Sequence, residues 1–202
     1  MNKYTVLLLL SSLFAPLLAS AADLDVLTAN CNGCHGDNGV SQWRDVPTIA
    51  GIDAFAHSDA LYVYRDEARP CAESKYRQGD TSRAATTMCA VTAEMSDDDI
   101  EAVAEHYASL PFVAAKQDFD AALASVGKAV HEQHCSRCHS DGGSNAEDEA
   151  SILAGQQMGY LESSFAEYRS GEREQPDRMK EGMDALSDAD IEALLQYYAS
   201  QQ

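Results

Sequence analysis

Two short cysteine and histidine motifs hold the chemistry available to this 202-residue chain. The spacing C-x-x-C-H occurs at residues 31–35 and again at residues 135–139. Two thiols on one short turn can each form a thioether with a vinyl group of a porphyrin, and the adjacent imidazole can bind its iron. The spacing therefore predicts two covalently bound haem c groups. The predicted attachment and proximal residues are Cys31, Cys34 and His35 in the first motif and Cys135, Cys138 and His139 in the second.

Two other uses of such a motif are less favoured than haem attachment. A redox-active cysteine pair of the thioredoxin kind needs a strand–helix–strand setting and leaves the repeated histidine unexplained. A zinc site could use the four cysteines of the first half, Cys31, Cys34, Cys71 and Cys89. The second half has only two cysteines, so a zinc site would leave the second motif without an explanation.

The elements that must position these motifs form a tandem repeat. Residues 96–109 and 187–200 match at nine of fourteen positions with a constant offset of 91. Each segment predicts a helix that is capped by a serine and carries an apolar stripe at i, i+3, i+4 and i+7. No alternating strand pattern of useful length occurs elsewhere. The sequence therefore predicts an all-α fold of two tandem domains, each wrapped round one haem.

The repeat also provides candidates for the second axial ligand of each iron. Methionine suits this position because its thioether raises the haem potential relative to harder ligands. Met88 and Met179 each lie seven residues before the apolar residue that precedes a helix cap. These equivalent positions predict Met88 and Met179 as the ligands opposite the two proximal histidines. The remaining candidates, assigned to packing, are Met95, Met158 and Met183.

The two cysteines outside the motifs, Cys71 and Cys89, predict a disulfide, because an exported protein meets oxidising conditions. We expect this bridge to close an extra stretch of the first repeat and to hold the neighbouring Met88 on the iron. Cys89 as a thiolate ligand is a less favoured alternative. Structural or surface roles are assigned to His106, His131 and His134.

A second set of landmarks indicates an insertion in the first repeat. Residues 49–51 correspond to residues 153–155, and residues 76–80 are matched to residues 168–172. The spacing from the glycine to the tyrosine is 76 − 51 = 25 positions in the first repeat and 168 − 155 = 13 in the second. The first repeat is therefore expected to carry 25 − 13 = 12 extra residues before residue 76.

The N-terminus and the charge indicate where the protein works. Residues 1–21 predict a cleaved signal peptide, with Lys3 before an apolar run and small residues at the cleavage site. A retained membrane anchor is less favoured because the run is short and contains Pro16. The predicted mature domains are residues 22–112 and 113–202, exported to the periplasm. The chain has 14 basic and 33 acidic residues, a net charge of −19, which disfavours nucleic acid and anionic membranes as partners.

These motifs resemble the soluble dihaem class I cytochromes c. More narrowly, the chain is similar to the cytochrome subunits of flavocytochrome c sulfide dehydrogenases, at residues 27–36, 115–120, 152–156 and 198–202. Many class I domains place a proline after the haem motif, and its carbonyl orients the proximal histidine. Pro47 fits that role in the first repeat, but Ser151 stands there in the second. Because a serine stands in place of the proline, the sequence does not predict which group forms a hydrogen bond with His139.

The resemblance implies an electron-transfer subunit with no substrate chemistry of its own. It would accept electrons from a flavoprotein subunit that carries FAD and oxidises sulfide, and pass them to a soluble cytochrome or another redox acceptor. The chain itself has no dinucleotide-binding glycine fingerprint, so a flavin would belong to the partner. A free-standing dihaem shuttle to a terminal oxidase or reductase is the alternative. A haem enzyme, such as a peroxidase or a thiosulfate-oxidising cytochrome, is disfavoured by two equivalent methionine ligands.

Overall fold

The computed structural model describes residues 23–202, in which the regular structure is almost entirely helical. Within that range the only extended pairing is an isolated bridge between Ser74 and Thr86. The all-α prediction is therefore confirmed, whereas the predicted signal peptide lies outside the described residues. No helix in the described range is long and apolar enough to cross a membrane. The helices are α1 Leu24–His35, α2 Ala54–Arg65, α3 Met88–Thr92, α4 Asp97–Ala108, α5 Ala121–His134, α6 Met158–Ser170, α7 Asp177–Asp184 and α8 Asp188–Ala199.

The two halves repeat the same order of helices, α1 to α4 and then α5 to α8. The helices α4 and α8 begin with the same reciprocal cap. The Ser96 hydroxyl accepts a hydrogen bond from the Asp99 amide at 3.2 Å, and the Asp99 carboxylate accepts one from the Ser96 amide at 3.0 Å. Ser187 and Asp190 form the same pair of bonds at 3.2 and 2.9 Å. Each box satisfies two amide groups that the first helical turn leaves without a partner.

Each half has one apolar core beneath its last helix. Ile100, Val103 and Tyr107 are fully buried on α4, and Leu194 and Tyr198 are fully buried on α8. The predicted apolar stripes therefore face the interior, where burial contributes most of the stability of such short helices.

The helices α5 and α8 cross closely in the second half. A Cβ atom added to Gly127 on α5 would collide with the backbone carbonyl of Ala193 on α8. Glycine is therefore required at this crossing, because it lets the two backbones approach each other.

A tyrosine near the end of α2 and one near the end of α6 each pair with an arginine that follows the helix, at equivalent positions. The Arg69 guanidinium lies 4.2 Å from the centre of the Tyr64 ring, and that of Arg173 lies 4.3 Å from the centre of the Tyr168 ring. Both tyrosines lie thirteen residues after the landmark glycine of their repeat, since 64 − 51 and 168 − 155 both equal 13. The structure therefore matches Tyr64 to Tyr168.

This match corrects the position of the insertion. The sequence motif at residues 76–80 is similar to residues 168–172, but it is not their structural equivalent. Arg69 precedes Met88 by 19 positions and Arg173 precedes Met179 by 6, so the extra 19 − 6 = 13 residues come after Arg69. The prediction failed because a tyrosine–arginine pair occurs at both ends of the region, and only the helix α2 shows which pair is equivalent.

Two glutamines of the second half join it to the first half. The side-chain amide of Gln156 donates to the Thr48 carbonyl and accepts from the Thr48 amide, both at 2.9 Å. Gln156 and Thr48 are almost completely buried. The Gln157 side chain donates to the Ser41 carbonyl at 2.7 Å. The start of α6 is therefore held against the loop that follows the first haem motif.

A buried ion pair lies nearby at the junction of the halves. The Arg69 guanidinium lies 3.4 Å from the Glu167 carboxylate, with exposed fractions of 3% and 19% for the two side chains. Arg173 approaches the same carboxylate at 3.9 Å. Arg69 of the first half and Arg173 of the second half thus share the Glu167 carboxylate on α6. All three side chains are largely removed from water.

Candidate haem sites

The first predicted proximal histidine ends α1 and is held by a backbone carbonyl. His35 is 8% exposed, and its Nδ1 atom lies 2.9 Å from the Pro47 carbonyl oxygen. Burial lowers the pKa of His35, which favours the neutral imidazole. With Nδ1 donating to Pro47, Nε2 is left as the atom with a lone pair for a metal.

The second proximal histidine lies near the backbone of Ser151, the residue equivalent to Pro47. Burial lowers the pKa of His139, and the Ser151 backbone opposes this shift. The loop after the second motif therefore brings an equivalent stretch of main chain towards the histidine, although its residue is not a proline.

The six cysteines divide into two chemical groups. Cys71 and Cys89 are bonded to each other, with their Cα atoms 5.8 Å apart. The four cysteines outside this bridge are the motif residues Cys31, Cys34, Cys135 and Cys138. Burial raises the pKa of the Cys31 thiol to about 11, so it stays protonated at neutral pH.

The zinc alternative finds no support in this arrangement. Within residues 23–202 no three or more histidine, cysteine, aspartate or glutamate side chains are grouped so that they could hold a metal ion. The bridge between Cys71 and Cys89 also removes two of the four thiols that such a site would use.

The methionine loops have the register that the sequence predicts. The Met95 amide donates to the Thr92 carbonyl at 3.0 Å, and the Leu186 amide donates to the Met183 carbonyl at 3.2 Å. Met183 and Met95 are buried within the two apolar cores, as expected for packing residues.

Met88 and Met179 lie at the margin of the same cores. Met88 is the first residue of α3, Met179 lies in the first turn of α7, and both are partly buried. Their assignment as axial ligands stays a prediction.

Two tyrosines near the motifs have a role that the sequence did not reveal. The Tyr107 hydroxyl donates to the Asn32 side chain at 2.9 Å, inside the first motif. The Tyr198 hydroxyl lies 3.0 Å from Nδ1 of His131, which is 1% exposed. The apolar stripe of each helix identified the tyrosine as a core residue. The contacts of its hydroxyl depend on tertiary packing, which carries no sequence signal.

The remaining histidines divide by burial. His57 is buried close to His35, and desolvation lowers its pKa to about 4. His131 is a buried structural residue, while His106 and His134 are partly exposed.

The residues of both motifs fit a covalently attached haem. Each offers two thiols outside any disulfide on one turn and an imidazole whose pKa is lowered by burial, which is the donor set that haem c requires.

Comparison with known families supports the same conclusion for each half. The family model described as "Cytochrome c" matches residues 25–111. The model described as "Cytochrome C oxidase, cbb3-type, subunit III" matches residues 122–197. The chain consists of two cytochrome c domains. This dihaem cytochrome c carries two covalently bound haem groups and acts in electron transfer.

The dihaem cytochrome is also similar in sequence to a bacterial relative. The "Thiosulfate dehydrogenase electron acceptor" of Stutzerimonas stutzeri (strain A1501) is 28% identical over 182 residues. The match covers 84% of the dihaem cytochrome and 78% of the relative.

Solved structures with the same fold include two cytochromes c4. The protein from Pseudomonas stutzeri has a TM-score of 0.69 at 24% identity, over 90% of this chain and 100% of the other. The protein from Acidithiobacillus ferrooxidans has a TM-score of 0.69 at 23% identity, over 85% and 99%. Thiosulfate dehydrogenase (TsdBA) from Marichromatium purpuratum has a TM-score of 0.66 at 22% identity, over 85% of this chain and 36% of that longer one. These likenesses confirm the predicted fold of tandem class I cytochrome c domains.

Proposed function

We propose that this dihaem cytochrome accepts electrons from a separate thiosulfate-oxidising dehydrogenase and passes them to a further redox acceptor. The observation that carries the proposal is the 28% identity to a thiosulfate dehydrogenase electron acceptor, spread over most of both chains. A match that covers 84% of this chain must include parts of both domains. The proposal therefore concerns the whole dihaem unit rather than one domain.

The geometry suits a carrier with two fixed redox centres. Haem iron, when bound, takes up and releases one electron at a time. The His35 ring is held by the Pro47 carbonyl, so it is oriented before and after each transfer. Gln156 and Thr48 join the halves through buried hydrogen bonds. Met88 and Met179 would complete the two iron sites.

A flavoprotein donor is the second candidate, favoured by the sequence segments shared with flavocytochrome c sulfide dehydrogenases. In that case a partner subunit with FAD would oxidise sulfide and reduce the haems. The free-standing shuttle to an oxidase or reductase remains a third assignment, for which the net charge of −19 is relevant. A highly acidic carrier is steered to basic patches on its partners, and salt weakens that steering.

The proposed location is the periplasm, reached through cleavage of the segment 1–21. Export also explains why Cys71 and Cys89 are oxidised, because disulfides persist in that compartment.

One reconstitution separates the donors. The purified dihaem cytochrome is mixed with catalytic amounts of a thiosulfate dehydrogenase and thiosulfate, or with a flavoprotein sulfide dehydrogenase and sulfide, and haem reduction is followed by absorbance. We expect fast reduction only in the first mixture, after subtraction of the rate without enzyme. Fast reduction only in the second mixture would replace the proposal by the flavoprotein assignment. No enzyme-dependent reduction in either mixture would favour the free-standing shuttle.

A further inference from the structure

The extra stretch of the first domain lies directly on its haem motif. We call residues 71–87 the strap. Backbone amides of Arg77 and Gln78 in the strap donate to the Gly33 carbonyl at 2.8 and 3.2 Å. The Cys34 sulfur lies 3.6 Å from the Lys75 carbonyl oxygen. The strap therefore covers the turn that carries the two attachment thiols of the first haem.

A glycine inside the motif makes this close approach possible. A Cβ atom added to Gly33 would lie 2.7 Å from the Tyr76 ring, which is closer than such atoms approach. The equivalent position in the second motif is 33 + 104 = 137, where Arg137 stands. A large side chain at that position would collide with a strap. The two motifs therefore differ in sequence at the position that decides whether a strap can lie against the motif.

Several contacts pin the strap in place. Its first residue is tied to Cys89 by the disulfide, and Ser74 pairs with Thr86 across its base. The Arg77 guanidinium donates to the Asp45 carboxylate at 2.7 Å, and the Gln78 side chain donates to Asp37 at 2.8 Å. The strap is thus held at its base and is also bonded to the loop that follows the first haem motif.

The second motif has no comparable cover among the described residues. Cys138 is exposed, whereas its equivalent Cys34 is only partly exposed. Ser136 and Arg137 are exposed as well, and the backbone hydrogen bonds of residues 135–139 stay within residues 131–139. The second haem therefore has the more accessible attachment edge.

We infer that a protein partner with a basic surface exchanges electrons with this acidic cytochrome through the attachment edge of the second domain, because the strap closes the corresponding edge of the first. The first haem then receives and releases its electrons through the second haem. Electron transfer slows steeply as the distance between donor and acceptor grows, so a polypeptide layer over one edge directs a protein-sized donor to the other. The inference rests on the electron-transfer role of the cytochrome but on no particular donor enzyme.

The charge of the strap does not make it a strong docking patch. It contains three cations and two acids, and one of its cations, Arg77, is paired with Asp45. Its exposed Lys75 nevertheless provides a matched partner for a charge-reversal test, since Arg137 is an exposed cation at the second motif.

The test uses the holoprotein and a reduced, basic monohaem cytochrome c as the donor, at low ionic strength. Arg137→Glu removes a cation that repels this donor and is expected to raise the second-order rate of haem reduction by about tenfold, within the range that mutants of one interface cover. Lys75→Glu is expected to leave that rate unchanged. Added salt should remove the difference between the variants. An equal rise in both variants, a greater rise with Lys75→Glu, or no rise with Arg137→Glu would each overturn the inference.

A third variant tests the cover itself. Gly33→Gln places a side chain where Tyr76 lies and should lift the strap without adding charge. A second entry route then opens, and the reduction rate is expected to rise by about twofold, a change that stays within the span of interface mutants. An unchanged rate would contradict screening by the strap. Failure with a thiosulfate dehydrogenase would leave these results untouched, because the donor here is a generic cytochrome.

Discussion

At the scale of single residues, each proximal histidine lies beside the main chain of an equivalent residue. Nδ1 of His35 lies 2.9 Å from the Pro47 carbonyl oxygen, and the Ser151 backbone lies near His139. The residue type at this position does not predict the approach, because every residue has a carbonyl and only the path of the loop brings it to the histidine.

Substitutions at four methionines can test which are axial ligands and which are packing residues. Met88→Leu and Met179→Leu keep the volume but remove the sulfur, so each is expected to abolish the methionine–iron absorption band of one haem. The potential of that haem should fall by on the order of 100 mV, a fraction of the range that axial ligands span.

The matched controls are Met95→Leu and Met183→Leu, which lie in the apolar cores. They should keep both absorption bands and cost about 1 kcal/mol of stability or less. A band lost in a control, or retained in Met88→Leu or Met179→Leu, would show that the assignment is wrong.

At the scale of helices, the sequence predicts those helices that have a cap and a periodic apolar pattern, and it does not predict those that lack them. The helices α4 and α8 were predicted from caps and apolar periodicity, and both begin at the expected serine. The five-residue helix α3 was not predicted, since one turn has too few positions for a periodic pattern. The insertion was misplaced for a related reason, because the end of α2 was not recognised between two tyrosine–arginine pairs.

The crossing of α5 and α8 provides a prediction at this scale. Gly127→Ala would force the two backbones apart at Ala193, and we expect a loss of about 2 kcal/mol in the free energy of unfolding. The neighbouring Lys128→Ala is the control. Its only described ion pair is an exposed contact of 3.9 Å with Glu132, so a change of a few tenths of a kcal/mol is expected, roughly the worth of such a pair. Denaturant unfolding measures both, and similar losses in the two variants would refute the argument.

At the scale of the whole molecule, buried hydrogen bonds join the two halves. The exposed ion pair between the halves is expected to contribute little to stability. Gln156→Leu would leave the amide and carbonyl of Thr48 buried without partners, with an expected cost of about 2 to 3 kcal/mol. Thr48 follows Pro47, so the spectrum or potential of the first haem should also change.

The control for this junction is Glu162→Gln, which removes the exposed ion pair with Arg44. With exposed fractions of 63% and 59%, that pair should contribute less than about 1 kcal/mol. Thermal unfolding and redox titration test both variants. An effect of Gln156→Leu no larger than that of Glu162→Gln would contradict the importance of the buried bonds.

The junction between the halves had little signal in the sequence. Gln156 follows a landmark glycine at a position where the first repeat has Ile52. That difference marks a polar residue inside an otherwise apolar landmark, but it does not reveal its partner 108 residues earlier in the chain. Motifs and caps are local in sequence, whereas a contact between domains depends on the arrangement of both.

The shared carboxylate of Glu167 makes the two halves non-interchangeable. Its equivalent in the first half is residue 167 − 104 = 63, which is Val63. Two copies of the first half placed in the same arrangement would bring buried arginines together with no acid to neutralise them. A separately produced first half should therefore prefer the second half to another copy of itself, because the second half supplies the missing negative charge. The two halves therefore differ in a charged residue that their contact requires, and not only in their order along the chain.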